Sequence, residues 1–212
     1  MVIPMRLSEL RFIDLLDAFR SSEPTPGGGS ASALSGAIGA SLLAMVAGLP
    51  KPRVRTPEDE QRLADARSRC AAISDRLAAL MDRDSEAYDG VVAAFRLPKT
   101  SEDEKAARTA MIQEALRSAT EAPVQVMRVC LDAIHLAETV AGLGNPSAAS
   151  DVEVGLELLG AGLRGAGVNV AINLTSLKDQ AYVGAIKKET LQLEMDASRG
   201  HAAAIAALRD AS

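Results

Sequence analysis

Between Thr25 and Pro50 the chain reads TPGGGSASALSGAIGASLLAMVAGLP, without a single charged side chain. A run this long and uncharged has to be sheltered from water, either in lipid or in the middle of a protein core. It has the length of a membrane span, but its composition argues against one. Gly, Ser and Ala gain little from transfer into hydrocarbon, and bulky Leu, Ile and Phe are few. Ser32, Gly36, Ala40, Ala44 and Gly48 instead recur every four positions. Such a row gives a helix a smooth stripe against which a second helix can lie closely. The run therefore predicts a central, buried packing helix, with Ser30 as its N-cap.

The remaining segments repeat their apolar residues at helical spacing, and few alternate as strands would. Leu7 to Arg20 places Leu10, Ile13, Leu16 and Phe19 on one face, with Ser8 as cap. Thr56-Pro57-Glu58-Asp59 starts a helix that meets no breaker until Leu97-Pro98. Ser101-x-x-Glu104 is a capping box for the next, in which Pro123 marks either a kink or a new start. That helix ends near Gly142-Leu143-Gly144, Asn145-Pro146 restarts the chain, and a second small-residue helix runs to about Asn173. A more polar helix from about Ser176 completes the 212 residues. The expected fold is all-α: one domain over residues 1–212, an antiparallel bundle of long helices.

A net charge of −5 disfavours nucleic acid as a partner, since phosphates need a basic face. Cys70 and Cys130 lie among apolar positions and lack the spacing of a metal or redox pair, so both read as buried hydrophobes of a reducing compartment. With His135 and His201 isolated, no metal cluster is expected. The opening MVIPMRLSELRF lacks the apolar core of a secretory signal, and cytoplasmic residence is expected.

Three features bear on chemistry. On the long helix, one heptad seam is Leu63, Cys70, Leu77, Asp84 and Val91, beside Ala66, Ile73, Leu80, Ala87 and Ala94. Asp84 thus stands where an apolar residue belongs. A carboxylate kept from water is paired, hydrogen-bonded or functional, and its raised pKa suits a general acid or base. The bland alternative is a seam that opens to solvent or a structural ion pair. Asp82 and Glu86 fall off the seam and are expected in water. Ala161, Gly165, Asn169 and Asn173 form a second four-residue row, with Arg164 beside it. The two carboxamides suit either recognition of a heterocycle or hydrogen bonding between helices. Finally, Gly27-Gly28-Gly29-Ser30 opens a helix, and its N–H groups suit an anion or a close helix contact. It follows a helix and has no lysine before Lys51, which excludes a nucleotide P-loop.

Taken together, PTPGGGSASAL, DRDSEAYDGVVAAFRLPK (82–99), GNPSAASD (144–151) and GLRGAGVNVAINL (162–174) resemble the cyclodeaminase/cyclohydrolase family of folate enzymes, in order and spacing. The resemblance spans nearly the whole chain. It implies an all-α homodimer that acts on the N5–N10 one-carbon bridge of tetrahydrofolate with no metal or redox cofactor beyond its folate substrate. Either 5,10-methenyltetrahydrofolate is hydrolysed, or 5-formiminotetrahydrofolate is closed with loss of ammonia. The family's catalytic aspartate matches Asp84, with Lys99 as an assisting group. Gly27, Gly28, Gly29, Ser30, Asn145, Asp151, Arg164 and Asn169 are implied as substrate-binding. The 212 residues include no formiminotransferase part, so a separate formiminotransferase is an expected partner and the hydrolase is favoured. GLPKPRVRT departs from the family's Gly-Lys and tyrosine segment. A helical binding module on the same fold is the alternative from another class.

Overall fold

Thr56 begins the first long helix as its sequence dictates: the side chain accepts the Asp59 N–H at 3.1 Å, and Pro57 fills the first position, where no N–H is missed. The computed structural model describes residues 6–50 and 56–210. The basic turn expected at Lys51–Arg55, with most of the GLPKPRVRT departure, lies outside the described residues, as do residues 1–5. The described chain is helical, in the order α1 (Phe12–Arg20), α2 (Gly28–Gly48), α3 (Pro57–Phe95), α4 (Glu102–Leu143), α5 (Ala149–Leu174) and α6 (Gln180–Asp210). Short 3-10 turns precede α1 and α5. The capping box at Ser101 and Glu104 is present in both directions.

α2, α3, α4 and α5 form an antiparallel four-helix bundle, and α6 lies along α4 and α5. Glycines set the contacts of α2. A side chain at Gly39 would stand 2.6 Å from the Gly155 carbonyl, and one at Gly162 3.0 Å from the Gly36 N. On the neighbouring side, a Gly36 Cβ would fall 2.6 Å from Cys130 Sγ and 3.1 Å from Leu77. α2 has the length and mean hydropathy, 1.6, of a membrane span. Ala33, Ala40, Leu43, Val46 and Ala47 are nonetheless buried among its neighbours. On α5 the packing line is Gly155, Leu159, Gly162 and Ala166; Ala161, the first of the expected row, faces out. The α3 seams hold, with Leu63, Cys70, Leu77 and Ala66 buried. Burial pushes both the Cys70 and Cys130 thiols up to about 12, which keeps them protonated packing groups.

The N-terminal segment differs from expectation. Its helix is broken: a 3-10 turn at Leu7–Glu9 precedes α1, and Arg11 stands at the α1 N-cap without a side-chain capping bond, its guanidinium pairing with Asp14 instead. Ser8 is not a cap. Its hydroxyl donates to Asp82 Oδ2 at 2.5 Å, so Asp82 ties the segment to α3 rather than standing free in water. Leu15 is the buried residue of α1, while Ile13 is exposed.

α4 passes unbroken through Pro123. Proline has no N–H to offer the carbonyl four residues back, which is that of Ala119. Asn173 of α5 supplies the missing donor, its Nδ2 lying 2.9 Å from the Ala119 oxygen. This settles the role of one of the two row asparagines as a bond between helices. α6 docks on α4 through polar contacts: Tyr182 donates to Glu121 at 2.7 Å, Arg128 pairs with Glu189 at 2.6 Å, and Arg117 lies over the Tyr182 ring at 4.2 Å.

Two stability measurements follow. Gly39→Ala forces α2 away from α5 and is expected to cost about 1–3 kcal/mol in urea unfolding, whereas Gly184→Ala, with open space around it, gains about 0.5–1 kcal/mol. Asn173→Ala is expected to cost about 1 kcal/mol with Pro123 present and close to nothing in a Pro123→Ala background, where the backbone N–H is restored. Equal costs in both backgrounds would refute the pairing.

Candidate active site

The sequence's misplaced carboxylate lies where the first turn of α2 meets α3. Gly27 is the N-cap and Gly28 and Gly29 are already helical, so the expected glycine loop is the start of the helix itself. Ser30 therefore falls in the first turn and is not the cap. A side chain at Gly29 would overlap the Asp84 carboxylate, which occupies that space. Asp84 is thereby held over the end of α2 whose N–H groups have no helical partner and carry partial positive charge.

Ser30 is fully buried. Its hydroxyl lies 2.9 Å from Asp84 Oδ2, 3.1 Å from the Met81 carbonyl and 3.3 Å from the Ser85 hydroxyl. With a single proton it donates to the carboxylate or the carbonyl, one at a time, and can accept from Ser85. Asp84 itself is half-buried. Desolvation raises its pKa above the ordinary carboxylate value, and the hydroxyl and backbone N–H of Ser30 act in the opposite direction. Burial is the larger effect. No charged group enters this balance.

Asn169 completes the cluster from α5. Its carboxamide lies 3.5 Å from where a Gly28 side chain would stand, and its Nδ2 donates to the Gly165 carbonyl at 2.9 Å. That bond leaves the amide oxygen directed by the helix and available to a ligand. Asp84, Gly28, Gly29, Ser30 and Asn169 are thus brought together by three helices. Ser85 and the Met81 carbonyl were missed by sequence reasoning, although Ser85 adjoins Asp84 and its serine was the available signal.

The other candidates lie elsewhere on this chain. Lys99 is exposed in the α3–α4 connection, beyond a helical stretch of about 16 Å between Asp84 and Phe95. Asn145 and Asp151 are at the opposite end of the bundle, about 30 Å away along α2. There Asn145 serves as a clip, donating to the Pro50 carbonyl at 3.0 Å and accepting the Ser147 N–H at 3.0 Å. Arg164 is five residues from Asn169 but roughly 140° around α5. It folds over Gly160 and lines a cleft of about 440 Å³ with Glu194 and His201. An apolar groove of about 380 Å³ between α3 and α4, lined by Ala87, Gly90, Leu97 and Met111, lies off the Asp84 face. Among the described residues no cluster of His, Cys, Asp or Glu is arranged to hold a metal ion.

Comparison with known proteins gives this cluster its context. Residues 11–192 match the family described as formiminotransferase-cyclodeaminase. The chain is 43% identical over 174 residues to the methenyltetrahydrofolate cyclohydrolase of Methylorubrum extorquens, a match covering 82% of this chain and 84% of that protein. It is 35% identical over 182 residues to the formimidoyltransferase-cyclodeaminase of Dictyostelium discoideum, covering 86% of this chain but 32% of that longer protein. The crystal structure of formiminotetrahydrofolate cyclodeaminase from Thermotoga maritima superimposes with a TM-score of 0.84 at 26% identity, over 96% of this chain and 98% of that one. With a family match over most of its length and a 43% identical relative matched over most of both chains, the chain belongs to the formiminotransferase-cyclodeaminase family.

Proposed function

We propose that the protein is a 5,10-methenyltetrahydrofolate cyclohydrolase, with Asp84 as its general base and acid. The observation that carries the reading is the incompletely compensated, half-buried carboxylate of Asp84 over the first turn of α2, in a chain 43% identical to a methenyltetrahydrofolate cyclohydrolase. A carboxylate there favours the cationic methenyl bridge and takes a proton from the water that attacks its carbon. The resulting tetrahedral carbon, bonded to N5, N10 and hydroxyl, collapses as the C–N5 bond breaks. N5 takes the proton held by Asp84, the hydroxyl proton leaves to solvent, and 10-formyltetrahydrofolate remains. Closure of 5-formiminotetrahydrofolate with release of ammonia is the second reading, favoured by the fold shared with the Thermotoga maritima cyclodeaminase.

In this proposal Gly27, Gly28, Gly29 and Asn169 form the wall against the folate, and no cofactor is required beyond it. Lys99 and Arg164, cations that stand apart from Asp84, suit the anionic tail better than proton transfer at the bridge. Residues 1–212 act as one domain, in the cytoplasm, without nucleic-acid or membrane partners, and a separate formiminotransferase supplies any formimino substrate. The working unit is a homodimer. Support comes from the outward stripe of α2 and α5, where Ile38, Met45, Val154 and Val168 are 44%, 42%, 50% and 61% exposed and α2 contributes no charge. Asn145 and Asp151 reach an Asp84 site only as residues of a second subunit.

Methenyl absorbance is expected to fall when the protein is given 5,10-methenyltetrahydrofolate; a rise with 5-formiminotetrahydrofolate instead assigns the cyclodeaminase, and silence with both sinks the enzymatic reading. Asp84→Asn is expected to lower kcat by about 10²-fold or more while Tm stays level or rises. The stability sign follows from the raised folded-state pKa: the ionised carboxylate is less favourable in the fold than in the unfolded chain, so a neutral amide relieves that cost. Since the base must be ionised, the acidic limb of kcat is expected above the ordinary carboxylate range. Ile38→Asp with Val154→Asp is expected to yield monomers by light scattering; an unchanged mass would place any dimer interface elsewhere.

A further inference from the structure

Ser30 is drawn into the site by its motif as a substrate-binding residue, yet its geometry points inward. It has no exposed surface, and its hydroxyl is engaged by Asp84 Oδ2, the Met81 carbonyl and Ser85. Gly29, beside it, leaves the space into which the carboxylate fits. We propose that Ser30 is a positioning residue for Asp84: its hydroxyl, backed by that of Ser85, holds Oδ2 and sets the plane of the carboxylate before the substrate arrives. The inference rests on Asp84 being the catalytic group of the proposed hydrolysis.

The arrangement answers a physical conflict. Asp84 has to be sheltered enough to hold a proton in turn, and ionised enough to take one from water. Shelter alone favours the protonated form, and a hydroxyl donated to Oδ2 favours the charged one. The backbone N–H of Ser30 acts in the same direction, and the neighbouring elements add no charged side chain to the balance. α2 carries no charge, α5 presents the neutral Asn169, and the turn at Leu7–Glu9 engages Asp82. Arg83 and Glu86 of α3 and Glu114 of α4 line the groove between those two helices. Asp84 therefore depends on one donor side chain, with Ser85 placed to orient it. Ser30 donating to Asp84 while accepting from Ser85 forms a two-hydroxyl chain that ends on the working carboxylate.

The test compares wild type with Ser30→Ala and Ser85→Ala by two readouts. In the ligand-free protein, the titration of Asp84 followed by carboxyl 13C NMR is expected to move to higher pH in Ser30→Ala and by less in Ser85→Ala. In turnover of 5,10-methenyltetrahydrofolate, Ser30→Ala is expected to lower kcat roughly tenfold, the amount one hydrogen bond to a charged group carries, with KM within about twofold. Its acidic limb moves upward with the titration. An unchanged Asp84 titration in folded Ser30→Ala overturns the proposal, as does a raised KM with unchanged kcat, which would make Ser30 a substrate contact. The titration needs no substrate, so a wild-type protein without turnover would sink the cyclohydrolase reading while the NMR result still decides the role of Ser30.

Discussion

The absence of a side chain along α2 is the constraint on which this molecule is built. At Gly39, and with Gly162 answering from α5, it lets the two helices meet with backbone nearly touching backbone. At Gly36 it admits Cys130 and Leu77. At Gly29 the same vacancy is filled by a carboxylate. The packing rule that assembles the bundle is thus also the rule that seats Asp84, because a Cβ at position 29 would occupy the same space. Fold and site are consequences of a single compositional choice, a helix made smooth enough to be approached from several sides.

The polar groups inside the bundle follow a consistent pattern of repair. Pro123 removes a donor from α4, and Asn173 returns one from α5. Asn145 uses its amide to tie the end of α2 to the turn before α5. No buried side-chain nitrogen or oxygen among the described residues lacks a partner. Against that background Asp84 is distinct. It is bonded, but by one serine and with burial still the larger influence on its proton affinity. A group left short of full compensation in an otherwise satisfied interior is the arrangement that catalysis uses and stability alone would remove.

The functional reading draws on two independent lines. The seam analysis singles out Asp84 because a carboxylate interrupts an apolar heptad, with no reference to any relative. The family match and the cyclohydrolase relative come from the whole sequence, with no reference to geometry. The first line marks a carboxylate and the second names a chemistry; the proposed hydrolysis joins the two at Asp84. The scatter of Lys99, Arg164, Asn145 and Asp151 over the rest of the surface is why a second subunit enters the proposal.

Much of this protein was legible before folding. Helical periodicity, the cap at Thr56, the capping box at Ser101 and the smooth row of α2 are local or near-local signals, and each is expressed in the structure. The same holds for the heptad interruption at Asp84, since a seam residue's direction is set by its own helix. What the sequence could not give was the pairing of residues distant in the chain. Ser30 lies more than fifty residues from Asp84, and only the antiparallel approach of α2 and α3 turns an expected helix cap into its hydrogen-bond donor. Ser8 and Asn173 found their partners in the same way. Local pattern chose the helices and marked the carboxylate; the contact between helices, which no local pattern encodes, decided what that carboxylate touches.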